Sequence, residues 1–465
     1  MPDASPRSSE PRVNLDTDLS RVKIERQQSY SDQGGSRLRR IARRLRSLRG
    51  RHFLPSMLSR IARRLVRVAS IEILGKKKSA DVVAGLQGLQ AQKNIDHLTL
   101  SVLEQIKQGR LGKLQVYAIY ISGGIGDALI CSRMVRDLQQ RLGNTLSFDI
   151  YCQSPQITKE FFKNIPNFRK CIDSEIFHNV KKYYIFSMTA NQFVTFITEE
   201  IDYRSLLIYC PDVVNIFCTA QKKRKSIERY IVNHPFLDGA FADIAVRSGQ
   251  KRYKYLHEML GLKYGGDEQD IDVDPALPVS LGLKPGTYIT VHDGWDGNFK
   301  IATQRPTKTV PLEKWTQIIA GLKRALPDMT IVQIGGLVGE ILPGVDVNLK
   351  KKLSFSESTS ILAHAAVHVD AETGLVHLAA ALGVKSVVMF GPTNVDWFGY
   401  PQNANIRPHE CGNCWWSTDT WMDACPLELA VPVCTQAIRP DEVVAAAVRL
   451  LGETSPVDVK QGVPA

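Results

Sequence analysis

The segment GGIGD, residues 123–127, combines a glycine-rich turn with a carboxylate. Gly123, Gly124 and Gly126 come directly before a helical pattern, so their backbone amides are free to receive a phosphate or a sugar oxygen. The segment lacks the full G-x-G-x-x-G spacing, which disfavours a dinucleotide site. Asp127 falls in the first turn of the predicted helix, either as a cap and dipole partner or as a general base at the edge of a cleft.

A second predicted helix start lies in ETGLVHLAAALG, residues 372–383. Thr373 and Gly374 follow a short strand, so free amides and the positive end of the helix dipole point into a cleft there. Such an arrangement suits a diphosphate. His377 comes one turn later and is either a buried core histidine or a contact to the same ligand.

His292 and Asp293 occupy the turn VHDG at the end of another predicted strand. Ligands of open α/β sheets bind at the carboxyl ends of the strands. We therefore expect both side chains to line the cleft, and the alternative is an ordinary Asp-Gly turn.

Four cysteines stand close together in the C-terminal part of the chain: Cys411, Cys414, Cys425 and Cys434. In a reducing compartment such a cluster suits a tetrahedral zinc or iron ion, and a disulfide pair is the rival interpretation. Because four thiolates leave no open coordination position, the metal would have a structural role. The other five cysteines are scattered and are predicted to be core thiols.

These segments belong to a chain in which predicted strands and helices alternate. Strands are predicted at 116–122, 146–152 and 205–210, and helix over much of 228–262. An acidic stretch rich in Gly and Pro at 265–286 predicts a domain boundary. The alternation then restarts, with predicted strands at 287–292, 329–336, 367–370 and 385–393 and predicted helices at 312–326, 357–366, 374–383 and 441–451. The pattern indicates an α/β protein with two doubly wound parallel sheets and a site in the cleft between them.

Composition bounds the class of protein. The 465 residues are 44% hydrophobic, which suits two or three domains and excludes a wholly disordered chain or a small disulfide-stapled scaffold. No stretch approaches the roughly 18 consecutive apolar residues of a membrane span. The N-terminal segment lacks the pattern of a secretory signal, so the expected compartment is the cytoplasm.

The net charge of +12 comes from one segment. Residues 37–67 contain twelve arginines and no Lys, Asp or Glu, and the rest of the chain balances 47 cations against 47 acids. The motif RIARRL occurs at 40–45 and again at 60–65, each time with an apolar stripe at helical spacing. Residues 37–110 are therefore predicted to form a basic amphipathic helical extension, following a disordered polar tail at 1–36.

Contact of residues 37–68 with an anionic membrane is the favoured function of this extension. A solvated arm, a nucleic-acid contact and a targeting peptide are the alternatives. Acidic residues ahead of the arginines disfavour targeting. No nucleic acid is expected as a partner, because no aromatic residues alternate with the arginines.

Four segments, in order, resemble glycosyltransferase family 9, the heptosyltransferases of lipopolysaccharide core synthesis. They are GGIGDALI, VHDGW followed by TKTVPLEKW, VQIGG followed by Glu340, and ETGLVHLAAALGVKSVVMFGPT. The resemblance implies two facing Rossmann-like domains of the GT-B type. The acceptor would bind mainly to residues 111–270, and the nucleotide-sugar to residues 285–452, which include the cysteine cluster at 411–434.

The resemblance also implies roles for individual residues. Asp127 matches the family's catalytic base, and Lys308 matches the lysine that meets the donor phosphate. Glu340 falls where a glutamate contacts the donor nucleoside or sugar. Glu372 replaces the aspartate of the family's donor-binding D-T-G-x-x-H, so the donor sugar need not be a heptose. The remaining matches to that motif are Thr373, Gly374 and His377.

The implied activity is inverting transfer of a heptose or related sugar from a nucleotide-diphosphate sugar to a glycolipid such as lipopolysaccharide core, at the inner membrane face. No cofactor is expected for the transfer step, because Lys308 and the amides at 373–374 would stabilise the leaving diphosphate. Autotransporter heptosyltransferases look similar in carrying a cysteine-bound iron, which makes a protein acceptor the first alternative. A non-catalytic nucleotide-sugar-binding scaffold is the second.

Overall fold

The computed structural model describes residues 116–203, 206–207, 210–295 and 305–453, apart from the side chain of Glu200. The predictions of a polar tail at 1–36 and a basic helical extension at 37–110 lie outside the described residues. Among the residues described, no helix combines the length and apolar character needed to cross a bilayer.

The first sheet has five strands in the order β3-β2-β1-β4-β5. All neighbours are parallel except β4 and β5, which are antiparallel. The run VYAIYI of β1 is almost entirely buried, as expected for a central strand covered by helices on both faces. The elements are β1 (Val116–Ile121), α1 (Ile125–Arg141), β2 (Ser147–Cys152), α2 (Pro155–Phe162), β3 (Phe168–Asp173), α3 (Phe177–Val180), β4 (Ser187–Ala190) and β5 (Val194–Phe196), with short 3-10 turns at Ser174–Ile176, Lys181–Tyr183 and Thr198–Glu200.

Helices follow this sheet. They are α4 (Pro211–Val232), α5 (Asp238–Arg247), α6 (Arg252–Leu260) and the short α7 (Leu277–Ser280). α4 packs on α6 and β5, and α6 packs on α1. Between α6 and α7, residues 261–276 contain no helix or strand, and this stretch overlaps the boundary predicted at 265–286. The domain limits themselves stay predictions.

The second sheet has six parallel strands in the order β11-β10-β9-β6-β7-β8. The chain order reverses between β6 and β9, and the carboxyl ends of these strands carry residues 292–293 and 372–373. The elements are β6 (Tyr288–Val291), α8 (Leu312–Ala325), β7 (Thr330–Gln333), β8 (Val347–Asn348), α9 (Phe355–Ala363), β9 (Val367–Ala371), α10 (Gly374–Ala381), β10 (Ser386–Met389), α11 (Val395–Phe398), β11 (Ala404–Ile406), α12 (Val433–Gln436) and α13 (Pro440–Glu453).

The prediction of an α/β protein with two largely parallel sheets is confirmed. The strand predicted at 205–210 is wrong. Leu206 and Leu207 are helical, and the backbone nitrogens of Leu206 and Cys210 bond to carbonyls four residues earlier. A short apolar run has no period that separates a strand from a buried helical turn.

Candidate functional site

The starts of α1 and α10 lie against each other, and two glycines permit this approach. A Cβ atom at Gly126 would lie 2.5 Å from Cδ2 of His377, and one at Gly374 would lie 3.2 Å from the backbone nitrogen of Gly126. The first distance is shorter than real Cβ contacts, and the second is tighter than most of them. Two helix N-termini, each with unpaired N–H groups and the positive end of its dipole, therefore share one region.

Asp127 pairs with a buried arginine beside this contact. Its Oδ1 accepts a hydrogen bond from Nη2 of Arg252 at 2.7 Å, and its Oδ2 accepts from the backbone nitrogen of Gly124 at 3.3 Å. The Asp127 side chain is 34% exposed, whereas that of Arg252 is 1% exposed. Asp127 thus accepts a hydrogen bond from the N-cap backbone at the start of α1 and still presents a carboxylate to solvent. The two roles predicted for Asp127 are compatible in this geometry.

Arg252 has unused hydrogen-bonding capacity. Its Nη2 also donates to the backbone oxygen of Asn191 at 3.0 Å, just after β4. Its Nε and Nη1 have no hydrogen-bond partner among the described residues. The Asp127 carboxylate is therefore the main counter-charge of a guanidinium that water does not reach.

Glu372, which lies just before the start of α10, forms an ion pair with Lys308. Nζ of Lys308 lies 2.7 Å from Oε2 of Glu372, and both side chains are largely buried. Burial alone would favour the neutral acid, but the Lys308 charge and a contact with His377 lower the pKa of Glu372 to about 2. The site therefore holds an ionised glutamate beside the lysine predicted to meet the donor phosphate.

A hydrogen-bond network fixes the His377 ring. Its Nδ1 lies 2.7 Å from the hydroxyl of Tyr400, which accepts a hydrogen bond from Nη1 of Arg133 at 2.6 Å. Burial lowers the pKa of His377, so the ring is neutral and Nδ1 accepts from Tyr400. The proton then lies on Nε2, which is 3.7 Å from Oε1 of Glu372. Of the two roles predicted for His377, the buried position is observed, at the edge of the helix contact.

Thr373 caps α10 and connects it to a buried charge network. Its Oγ1 accepts from the backbone nitrogen of Leu375 at 3.2 Å and donates to Oδ2 of Asp370. Nδ1 of His292 lies 3.0 Å from Oδ1 of Asp370. Burial opposes ionisation of both groups, yet their mutual attraction raises the pKa of His292 and, with help from His368, lowers the pKa of Asp370 to about 2. Through Asp370, the pair anchors Thr373 at the start of α10.

Asp293 faces the interior, because it is the counter-charge of a buried lysine. Oδ1 of Asp293 lies 3.1 Å from Nζ of Lys350, and both side chains are fully buried. Its Oδ2 accepts from the backbone nitrogen of Glu340 at 2.6 Å. The Glu340 carboxylate pairs with Arg305, whose guanidinium lies over the ring of Trp295. As placed, Asp293 positions the Glu340 loop, and a direct donor contact by Asp293 stays a prediction.

The four clustered cysteines line one cavity of about 240 Å³ together with Thr307 and Pro392. All four are free thiols, so the structure contains no disulfide among them. Burial and the neighbouring cysteines raise the pKa of Cys414 to about 11 and that of Cys434 to about 12. Within the described ranges, no three His, Cys, Asp or Glu side chains are placed close enough to share one ion. The thiols thus share a cavity without ligation geometry.

Thr307 connects this cavity to the ion pair. Its Oγ1 donates to the carbonyl of Trp421 at 2.7 Å, and its backbone nitrogen donates to the carbonyl of Met422 at 3.1 Å. Trp421 and Met422 lie between the second and third cysteines in the sequence, and Lys308 is the residue after Thr307.

The structure brings together most of the predicted residues and adds others. The glycine loop, Asp127 and the start of α10 are in contact, and Lys308 reaches Glu372. Sequence reasoning missed Arg252, Tyr400, Arg133, Lys350 and Arg305. Each acts through a partner far away in sequence: Arg252 lies 125 residues from Asp127. No local pattern identifies such residues.

Comparison with known proteins finds similar sequences and structures. A family model described as "Glycosyltransferase family 9 (heptosyltransferase)" matches residues 299–415. A curated relative, lipopolysaccharide heptosyltransferase 1 of Pseudomonas aeruginosa, is 27% identical over 210 residues, which make up 40% of this chain and 52% of the relative. The chain thus spans about half the length of the curated relative that it matches.

Two similar solved structures are also bacterial transferases. The ADP-heptose lps heptosyltransferase II of E. coli has a TM-score of 0.45 at 12% identity, covering 72% of this chain and 98% of its own. The iron-containing dodecameric glycosyltransferase TibC from enterotoxigenic E. coli H10407 has a TM-score of 0.46 at 16% identity, covering 74% and 81%.

Proposed function

We propose that this chain, a heptosyltransferase-like protein of the glycosyltransferase family 9 type as its sequence predicts, is an inverting glycosyltransferase. It would move a heptose or related sugar from a nucleotide-diphosphate sugar to a glycolipid of the lipopolysaccharide-core kind. One observation carries the proposal: the start of α10 meets the start of α1 beside an accessible carboxylate, Asp127.

The chemistry assigns a role to each side of the contact. Asp127 takes the proton of the acceptor hydroxyl while that oxygen attacks the anomeric carbon. The bond from that carbon to the diphosphate breaks, and the diphosphate leaves with the bonding electrons. Lys308 and the amides at Thr373 and Gly374 stabilise the negative charge, so the transfer step requires no metal ion.

Glu372 and His377 set the charge at the start of α10, where the donor would bind. Glu372 is ionised and holds Lys308 until a diphosphate competes for the lysine. The neutral His377 offers an N–H group at Nε2 instead of a second positive charge. Glu340, whose backbone nitrogen donates to Asp293, would contact the nucleoside or sugar.

The cysteine cavity supports a second proposal, a structural iron or zinc held by Cys411, Cys414, Cys425 and Cys434. Four thiols share one cavity, and a divalent cation that displaced their protons would be held by four thiolates. Elemental analysis of protein purified under reducing conditions tests it. About one metal per chain, lost in the Cys414→Ser variant, is expected. Metal-free folded protein contradicts it.

The same cavity favours one alternative acceptor. Because a cysteine cluster of this kind resembles that of autotransporter heptosyltransferases, a protein O-glycosyltransferase is the second candidate. Transfer assays with both acceptor classes distinguish the two, since a glycolipid acceptor predicts no labelling of protein. We place the enzyme at the cytoplasmic face of the inner membrane, with the arginine segment 37–68 contacting anionic lipid.

The central experiment is Asp127→Asn. We expect a loss of about 10² to 10⁴ in transfer rate with donor binding retained, because Asn keeps the shape of the side chain and removes both the proton acceptor and the charge that faces Arg252. Asp212→Asn is the matched control, since Asp212 lies in the first turn of α4 and is exposed. Donor binding is followed by thermal shift against a panel of nucleotide-sugars. Unchanged transfer in Asp127→Asn refutes the base assignment. Donor binding without any transfer by the unmodified protein indicates a non-catalytic scaffold.

A further inference from the structure

The outward side of α4 carries a run of cations. Residues 222–225 read KKRK, and Arg229 follows one turn later. Glu228 is the single acid within 222–229, so this stretch has five cations and one acid, a net charge of +4. Among the described residues, none of the five cations forms an ion pair. Residues 222–229 thus keep a net positive charge that no ion pair with another described residue offsets.

Helical spacing places part of this charge on one face. Lys222 and Lys225 occupy positions i and i+3 before a kink at Ile227, and Arg229 and Val232 occupy positions i and i+3 after it. All four are exposed. The buried residues of α4 (Val213, Ile216 and Ala220) lie on the opposite side, where the helix packs on α6 and β5.

Apolar side chains are exposed where this face ends. Val232, the last residue of α4, is 67% exposed, and Phe236 in the following turn is 42% exposed. We name Lys222, Lys225, Arg229, Val232 and Phe236 the α4 face. Cations beside exposed aliphatic and aromatic side chains are typical of surfaces that lie in the interface of an anionic bilayer.

The α4 face ends next to the acceptor side of the site. Two residues after Val232, Nε2 of His234 lies 2.7 Å from Nδ2 of Asn191. The backbone oxygen of Asn191 accepts from Arg252, which holds Asp127. A molecule embedded in a membrane beneath this face would therefore present its headgroup close to Asp127.

We infer that the α4 face docks on an anionic lipid bilayer. The docking supplies a glycolipid acceptor to the site from the membrane side. The inference rests on the proposed function only for the identity of that acceptor, since lipid binding is measured without transfer. A nucleic acid fits less well, because residues 222–229 contain no aromatic side chain to stack bases and a polyanion would give the exposed Val232 no apolar contact.

The test compares two full-length variants of equal net charge. The α4 variant combines Lys222→Glu, Lys225→Glu and Arg229→Glu. The control variant combines reversals of three exposed cations outside α4: Lys284→Glu, Arg324→Glu and Arg449→Glu. Each triple reversal lowers the net charge from +12 to +6, since three reversals remove six charges. Because residues 37–68 are intact in both, their contribution cancels.

Sedimentation with phosphatidylcholine vesicles containing phosphatidylglycerol gives the readout. We expect the α4 variant to bind at least about tenfold more weakly than the control variant, since one cation near an anionic surface contributes roughly fivefold in affinity. A Val232→Asn and Phe236→Ser double variant should also bind more weakly, at unchanged charge. Equal binding by the two triple variants overturns the proposal. So does tRNA binding that depends on the α4 cations while vesicle binding does not.

A donor thermal shift separates this proposal from the proposed function. The α4 variant should keep the shift given by the nucleotide-sugar while losing vesicle binding. If the α4 variant loses vesicle binding but the unmodified protein binds no nucleotide-sugar, the docking proposal is supported and the transferase proposal is refuted.

Discussion

Replacing Glu372 by Gln tests how much one buried carboxylate charge contributes to the free energy of unfolding. The pKa of Glu372 falls from 4.5 to about 2, which corresponds to roughly 3 kcal/mol in favour of the ionised folded state at 1.36 kcal/mol per pKa unit. Because the folded pKa is depressed, this stability is fully present above about pH 4.5 and is lost as the pH falls towards 2. Glutamine keeps the shape and removes the charge, leaving Lys308 without its counter-ion.

Urea unfolding at pH 7, 5, 4 and 3 measures the effect. We expect Glu372→Gln to be about 3 kcal/mol less stable than the unmodified protein at pH 7 and the difference to shrink below pH 4.5. The exposed Glu410 supplies the control, since Glu410→Gln should change little at any pH. Adding Lys308→Met to Glu372→Gln should recover part of the loss, because no unpaired buried charge then remains. A difference independent of pH would refute the assigned ionisation of Glu372.

Three further predictions concern the contacts around the two helix starts. Arg252→Ala should lower the transfer rate about a hundredfold, because Arg252 positions Asp127 without touching substrate. Added guanidinium ion should restore part of the rate, and an unaltered rate in the variant contradicts this role. Gly126→Ala should lower stability to urea by about 1–3 kcal/mol through its clash with His377, whereas Gly452→Ala, with no atoms nearby, should not; equal effects would contradict the close approach. Tyr400→Phe should cost about 1–3 kcal/mol in urea unfolding, because Arg133 and His377 lose a shared buried partner, and an unchanged midpoint would dispute that network.

Much of the fold could be predicted because its central strands are buried on both faces. The runs at 116–122 and 367–370 combine short length with β-branched and aromatic residues, and glycines or a cap follow them. The less regular strands escaped prediction. Phe168–Asp173 reads FRKCID, with two adjacent cations at an edge of the sheet, and Val194–Phe196 is a three-residue antiparallel strand. Such strands form because a neighbour supplies hydrogen bonds, and sequence periodicity does not record this.

The candidate site, too, could be predicted from the sequence only in part. Asp127, Thr373 and Gly374 were accessible to sequence reasoning, because helix starts have recognisable residue types. The orientation of Asp293 was not, since it depends on Lys350, 57 residues away, entering the same interior. The exchange of aspartate for Glu372 was visible in the sequence. Its partner Lys308 and the resulting buried pair became visible only in three dimensions.

The hydrogen bonds from Thr307 to Trp421 and Met422 couple the cysteine cavity mechanically to the ion pair of Lys308. Oxidants that cross-link those thiols would displace the two carbonyls that anchor Thr307. Lys308, the next residue, would shift with it and weaken its contact with Glu372. Under the proposed function, thiol oxidation would therefore slow turnover, even though no sulfur atom takes part in the reaction.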